Sequence, residues 1–358
     1  MINIKQKTRE KINILIKLLP LFAFIVPFLI LYFYQDIAHP PYPYYYRSYT
    51  NTFEVTWKGR TFYIFFLWLA ALEMILGWEK LQLIKVNKLR SIRTVVFILS
   101  LLLPTVYIVI SNYYGLNVAI VDWTYANGIE PGCNWMPLST EYLVLALLFT
   151  LIIFLQYGVN GLKNILLSPI FQATIGIIYT IDNIYQYGSF TPFQFLVPAT
   201  ATLAANALNL MGYQTQWIGQ SHGTPVLMAW NSKGSATFGI AWPCSGIESL
   251  LIYTITMLLF LKNTTVPWKH RIIYFVFGAV VTFFINVIRI VTIFTIAIDT
   301  GVNSLQLQRF HDYYGQLYSV TWIALYLLII IASRALWRKI RTPKNATISG
   351  LESPKLTS

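Results

Sequence analysis

Long apolar runs separated by short polar or basic stretches fill the chain from residue 12 to residue 334. Runs near the roughly 20 residues needed to cross a bilayer lie at 12–34, 61–78, 94–113, 141–158, 165–181, 192–211, 244–262, 271–298 and 315–334. The pattern predicts membrane-spanning helices, with one exception. The run "TPFQFLVPATATLAANALNLMG" is interrupted by Pro192 and Pro198 and sprinkled with Thr and Asn, which suits a surface or re-entrant helix better than a crossing. After it, residues 213–242 place Gly and Pro turns between short runs of mixed polarity, which predicts a small hairpin cap.

Charge orients these runs. Lys5, Lys7, Arg9 and Lys11 precede the first run, and Lys80, Lys85, Lys88, Arg90 and Arg93 follow the second. Lys163, the group Lys262, Lys269 and Arg271, and the final group Arg334, Arg338, Lys339 and Arg341 mark further cytoplasmic segments. The stretch 114–140 has no Lys or Arg, only Asp122 and Glu130, as an external loop would. Walks from the two ends meet only if 192–211 does not cross. The expected fold is therefore an all-α integral membrane protein. It has about eight transmembrane helices, one outer-face or re-entrant helix, and the extracytoplasmic cap, with both termini in the cytoplasm. The first run is too long for a signal peptide and lacks a small-residue cleavage site, so it reads as a retained span. The Pro- and Tyr-rich stretch 39–49 reads as an interfacial aromatic belt. The polar tail after Arg334 reads as disordered.

Composition agrees: 56% of residues are hydrophobic and only 11% charged. The basic excess, 26 Lys+Arg against 13 Asp+Glu, falls between the apolar runs, where topology requires it, and does not indicate nucleic acid. Two distant cysteines give no disulfide framework, the four histidines are scattered, and no cofactor or metal signature appears. The sequons at Asn263 and Asn345 fall on the cytoplasmic side and are expected to carry no glycan.

Three residues converge in depth. Cys244, in "AWPCSGIESLL", stands eighteen residues from Lys262, or about 27 Å along a helix. Arg289 stands the same number of residues from Arg271, and His311 lies at the outer mouth of the last span. An arginine in an apolar helix costs roughly 2.5–3.5 kcal/mol at the bilayer centre, so it must face the bundle or water and have a partner. Pro243 favours the first helical position and so predicts Cys244 in the first turn, where the helix dipole and a nearby cation promote the thiolate. His311 then suits a general base. Glu248, at i+4 from Cys244, can orient Arg289 or His311, or serve as a plain ion-pair partner. Asn286 shares the Arg289 face. Glu73 lies mid-span and is expected to be paired or to face a cavity. Cys133, in "EPGCNWMP", reads as an incidental thiol.

The motifs "CSGIESL", "NVIRI" and "FHDYYG", in that order, resemble the exosortase/archaeosortase family of membrane cysteine transpeptidases. "TPFQFLVPATATLAANALNLMGY" also looks like the family's segment before its outer loop, and the chain looks closer to the archaeal members. The resemblance implies a nucleophilic Cys244, a charge-stabilising Arg289 and an acid/base His311; Ser245, Glu248 and Asn286 are supporting candidates. In the archaeal branch an arginine can replace the histidine. It also implies a catalytic core at 161–334, after an N-terminal region at 1–160 and before a tail at 335–358. Secreted proteins bearing a C-terminal hydrophobic sorting signal would be the substrates, and a membrane lipid a possible acceptor. Two other readings of the residues stand beside it: a thiol–disulfide oxidoreductase using Cys133 and Cys244, and a transporter or channel using Arg289, Glu248 and Glu73.

Overall fold

The computed structural model describes residues 2–33, 57–83, 92–129, 136–185, 190–221, 223–262, 264 and 266–341. Cys133, the 39–49 stretch and both sequons lie outside the described residues. The chain is mostly helical: α1 (Ile2–Phe33), α2 (Trp57–Leu76), α3 (Ile92–Tyr113), α4 (Leu116–Ala126), α5 (Met136–Asn164), α6 (Leu167–Ile184), α7 (Val197–Leu210), α8 (Ile247–Lys262), α9 (Trp268–Thr300), α10 (Leu305–Arg309) and α11 (Gly315–Arg341). Three strands, β1 (Gln214–Ser221), β2 (Thr224–Asn231) and β3 (Gly234–Gly239), form one sheet in the order β1-β2-β3, where the cap was expected.

Five of the described helices are long and apolar enough to cross a membrane: Ile12–Leu31, Thr94–Tyr113, Met136–Asn164, Trp268–Thr300 and Leu317–Trp337. Phe62–Leu76 is a shorter apolar helix. The expected spans at 165–181 and 244–262 become helices of 18 and 16 residues. Helix α7 has 14 residues behind a 3-10 turn at Thr191–Leu196. By itself it is about 21 Å long, and it is not among the helices long and apolar enough to cross a membrane. Helix α11 continues to Arg341, so the tail does not begin at 335; the last-turn arginines and lysine are good helix formers.

Packing divides the chain into two compact units. The first comprises Met1–Thr202, Gln214–Ala229 and Thr237–Ser245; the second comprises Leu203–Tyr213, Trp230–Ala236 and Gly246–Ser358. This division does not fall at 160, because α6 packs along α5 and α2 in the first unit. There, Phe24, Phe66 and Phe149 meet edge to face with centroids 5.1–5.7 Å apart. Beside them the Tyr63 hydroxyl donates to the Phe24 carbonyl at 2.8 Å.

Glu73 is the polar keystone of this unit. It is 2% exposed, and its carboxylate accepts the backbone N–H groups of Leu166 (3.2 Å), Leu167 (3.0 Å) and Ser168 (2.8 Å). These are the amides at the start of α6, which have no acceptor within their own helix and carry the positive end of its dipole. A side chain from α2 thus caps α6, and the expected pairing of Glu73 is with backbone amides.

In the second unit α8, α9 and α11 enclose a cluster of Tyr253, Met257, Leu261, Ile323, Tyr326 and Ile330. The Tyr253 hydroxyl donates to the Phe275 carbonyl at 2.8 Å, and the Tyr326 hydroxyl donates to the Tyr274 carbonyl at 2.7 Å. Ser249 and Ser319 hydroxyls share a hydrogen bond of 2.8 Å. Between helices in lipid, such bonds and close packing replace the hydrophobic drive available in water.

Replacing Glu73 by Ala strands three amides, one of them in a fully buried bond, so the variant should lose about 1–3 kcal/mol of stability. Thermal unfolding of the detergent-purified protein reads this as a lower Tm, and Glu73→Gln, which keeps one acceptor oxygen, should lose less.

Candidate active site

Cys244 belongs to the first unit. It sits in a 3-10 turn, Trp242–Ser245, rather than in the first turn of α8. The cause is Gly246, whose φ of +97° breaks the helix before Ile247. Three bonds hold the turn. Ser245 Oγ donates to the Trp242 carbonyl at 2.6 Å, and Thr200 Oγ1 donates to the Ser245 carbonyl at 3.0 Å. The indole of Trp242, 2% exposed, donates to Asp182 at 2.6 Å. The Ile240 amide, donating to the Pro225 carbonyl at 2.9 Å, ties the approach to β2. Cys244 itself is half-buried, and its thiol is in no disulfide. The Ser245 hydroxyl is thus engaged in fixing the turn.

Arg289 and His311 belong to the second unit. Arg289 lies on the buried face of α9 with Asn286, Ile290 and Phe294, while Phe284 and Ile288 face outward. It is 5% exposed. Its Nη2 donates to the His311 carbonyl at 3.3 Å, and its Nε is buried without an acceptor. Among the described residues no carboxylate pairs with it, Glu248 included: that half-buried side chain makes no hydrogen bond or ion pair there. Helix α8 does place Glu248 in its first turn, where a negative charge favours the helix dipole.

His311 sits in a π-helical turn, Phe310–Tyr314, between α10 and α11. Such turns widen a helix locally and often mark functional sites. Here the turn presents the His311 backbone carbonyl to Arg289, so the arginine is met by the main chain of that residue. The imidazole is half-buried.

Gly315, just after this turn, was not singled out by the sequence reading. A Cβ there would lie 2.8 Å from Arg289 Nε and 2.9 Å from the Phe310 carbonyl oxygen. Only glycine leaves room for the guanidinium, and the one signal was the G closing "FHDYYG". A second glycine acts similarly: a Cβ on Gly246 would meet Asn286 Nδ2 at 3.1 Å, so Asn286, fully buried, lies against the backbone where α8 begins. Asp182, Thr200 and Trp242 were also missed, since their partners are distant in sequence.

Most of the chain, residues 56–330, matches the family described as "Transmembrane exosortase". The chain belongs to the transmembrane exosortase family. Members are generally cysteine-type transpeptidases, and the exosortase described here is accordingly a multi-pass membrane protein. No curated protein and no solved structure matches the chain. The matched span includes Cys244, Arg289 and His311.

In this exosortase a methyl at position 315 should crowd Arg289. Gly315→Ala is expected to lower stability by about 1–3 kcal/mol. Adding Arg289→Ala should restore part of the loss, and a Tm-based double-mutant cycle with a coupling below about 0.5 kcal/mol would refute the contact.

Proposed function

We propose that this exosortase is a membrane-embedded cysteine transpeptidase. It cleaves the C-terminal sorting signals of secreted proteins and transfers the new carboxyl end to an acceptor at the outer membrane face. Support comes above all from Arg289, a buried cation whose Nε has no acceptor. A buried N–H left unsatisfied costs about 1–3 kcal/mol, more for a charged group, and such a group is suited to a ligand that brings an anion. Further support comes from the chain itself: Gly246, which follows Cys244 by two residues, lies against Asn286, one helical turn before Arg289.

In the proposed reaction the Cys244 thiolate attacks the carbonyl carbon of the scissile peptide. The oxygen of the tetrahedral intermediate takes the negative charge, and Arg289 stabilises it. The C–N bond breaks as His311 gives its proton to the leaving amine, leaving a thioester on Cys244. An amine or hydroxyl of a lipid head group, or water, loses its proton to His311 and attacks the thioester, and the C–S bond breaks to return the Cys244 thiolate beside a protonated His311. Asn286 and Glu248 would assist from neighbouring positions, while Ser245 holds the turn that carries the sulfur. On this reading both termini lie in the cytoplasm and the chemistry outside, in a bundle of about eight crossings, which the basic segments between the apolar runs favour. The distribution of motifs favours an archaeal-type member.

The test is co-expression with a secreted protein that ends in a short motif, one hydrophobic span and a basic tail. Cys244→Ala and Cys244→Ser should abolish processing while leaving the protein inserted, and Arg289→Lys should slow it by about 10²–10³. Cys133→Ala should process normally, whereas a thiol–disulfide mechanism needs both sulfurs. Mass spectrometry of the trapped intermediate should find the substrate joined to Cys244. Undiminished processing by Cys244→Ala defeats the mechanism.

A further inference from the structure

We propose that a cavity formed by the start of α9 and the end of α11 binds the head group of an anionic phospholipid. The cavity, about 530 Å³, lies within the second unit. Its polar lining is Arg334, His270 and Ser333, and its apolar walls are Val266, Pro267, Tyr274 and Trp337. Arg334 is half-buried and Trp337 is 58% exposed. The lining therefore combines donors for phosphate oxygens with apolar surface for the glycerol and upper acyl atoms. A free phosphate would leave those apolar walls uncovered, so the occupant is an amphiphile.

Charge points the same way. Residues 262–274 and 330–341 carry Lys262, Lys269, Arg271, Arg334, Arg338, Lys339 and Arg341, and no Asp or Glu. Basic pockets between membrane helices at the head-group level are suited to anionic lipids. The level follows from α9 itself. His270 stands nineteen residues before Arg289, about 28 Å along the helix axis, which is close to the hydrocarbon thickness. The cavity therefore opens at the membrane boundary opposite Arg289.

The walls are fixed in advance. Arg271 donates from Nε to the Val266 carbonyl at 2.7 Å and from Nη2 to the Thr264 carbonyl at 2.9 Å, holding the turn before α9. The Tyr274 carbonyl accepts the hydroxyls of Tyr253 (3.1 Å) and Tyr326 (2.7 Å), locking α9 to α8 and α11 just behind the cavity. A bound head group would add contacts between the α8–α9 turn and α11 without reshaping either, which keeps the ordering cost of binding low.

Native mass spectrometry of the full chain in detergent, doped with equal dioleoyl-phosphatidylglycerol and dioleoyl-phosphatidylcholine, tests the proposal. The wild type should retain phosphatidylglycerol preferentially, by about fivefold for the lining cation Arg334. The Arg334→Gln/His270→Gln variant should retain both lipids about equally, whereas Lys262→Gln, outside the cavity, should keep the preference. Equal retention by the wild type overturns the site, and so does an equal loss in Lys262→Gln, which would indicate diffuse surface charge. A third arm uses wild-type protein alone, so that misfolding of a variant cannot decide the matter. Excess inorganic phosphate should leave phosphatidylglycerol bound; displacement would show a simple anion site and overturn the lipid assignment.

Discussion

A guanidinium inside an apolar helix is the constraint around which the second unit is arranged. A guanidinium carries five N–H donors and no acceptor, so the chain around Arg289 must answer those donors or leave them for a ligand. The fold answers one of them with a main-chain carbonyl, made available where the last helix begins with a widened π turn instead of a regular one. It clears the space beside the charge by omitting a side chain at Gly315. It offers no carboxylate among the described residues. A neutralising partner would make the site a closed structural ion pair, in which the arginine's charge is already spent. The Arg289 Nε, buried without an acceptor, is suited to stabilise an incoming negative charge.

The same logic of main-chain satisfaction runs through the rest of the protein. Tyrosine hydroxyls reach carbonyls across helices, threonines bond back within their own, and the cysteine turn is tied by an indole, two hydroxyls and an amide. In lipid there is no water to satisfy these groups, so each one fixes the position of an element. The thiol and the arginine therefore belong to well-determined local structures within their own units.

Apolar run length and charge placement made the helical, membrane-spanning class legible, and the mixed Gly and Pro turns after residue 212 foreshadowed the three strands. The candidate site residues were marked by being chemically out of place: a cation at 289, a thiol beside Pro243, a histidine at a helix mouth. What stayed hidden depends on pairings that sequence spacing does not reveal. Asp182 meets Trp242 sixty residues away, and Gly315 matters only because Arg289 happens to lie beside it. The start of α8 was misplaced by three residues because the propensity of Pro243 for a first helical position was overridden by the left-handed Gly246. The i+4 spacing of Glu248 from Cys244 presumed one continuous helix, whereas the break at Gly246 leaves Cys244 outside α8.

The cap that Glu73 provides for α6 also bears on how the chain is made. Its acceptors' partners begin 93 residues downstream, at Leu166. At translation rates of roughly 5–20 residues per second, the carboxylate emerges several seconds before the amides it will hold. For that interval an acidic group has to wait in the translocon, at the interface, or in a proton-bearing form, because an ionised carboxylate alone in hydrocarbon is disfavoured. Final seating of α2 is thus deferred until α6 arrives, and the biogenesis of the first unit is cooperative across helices separated by three intervening ones.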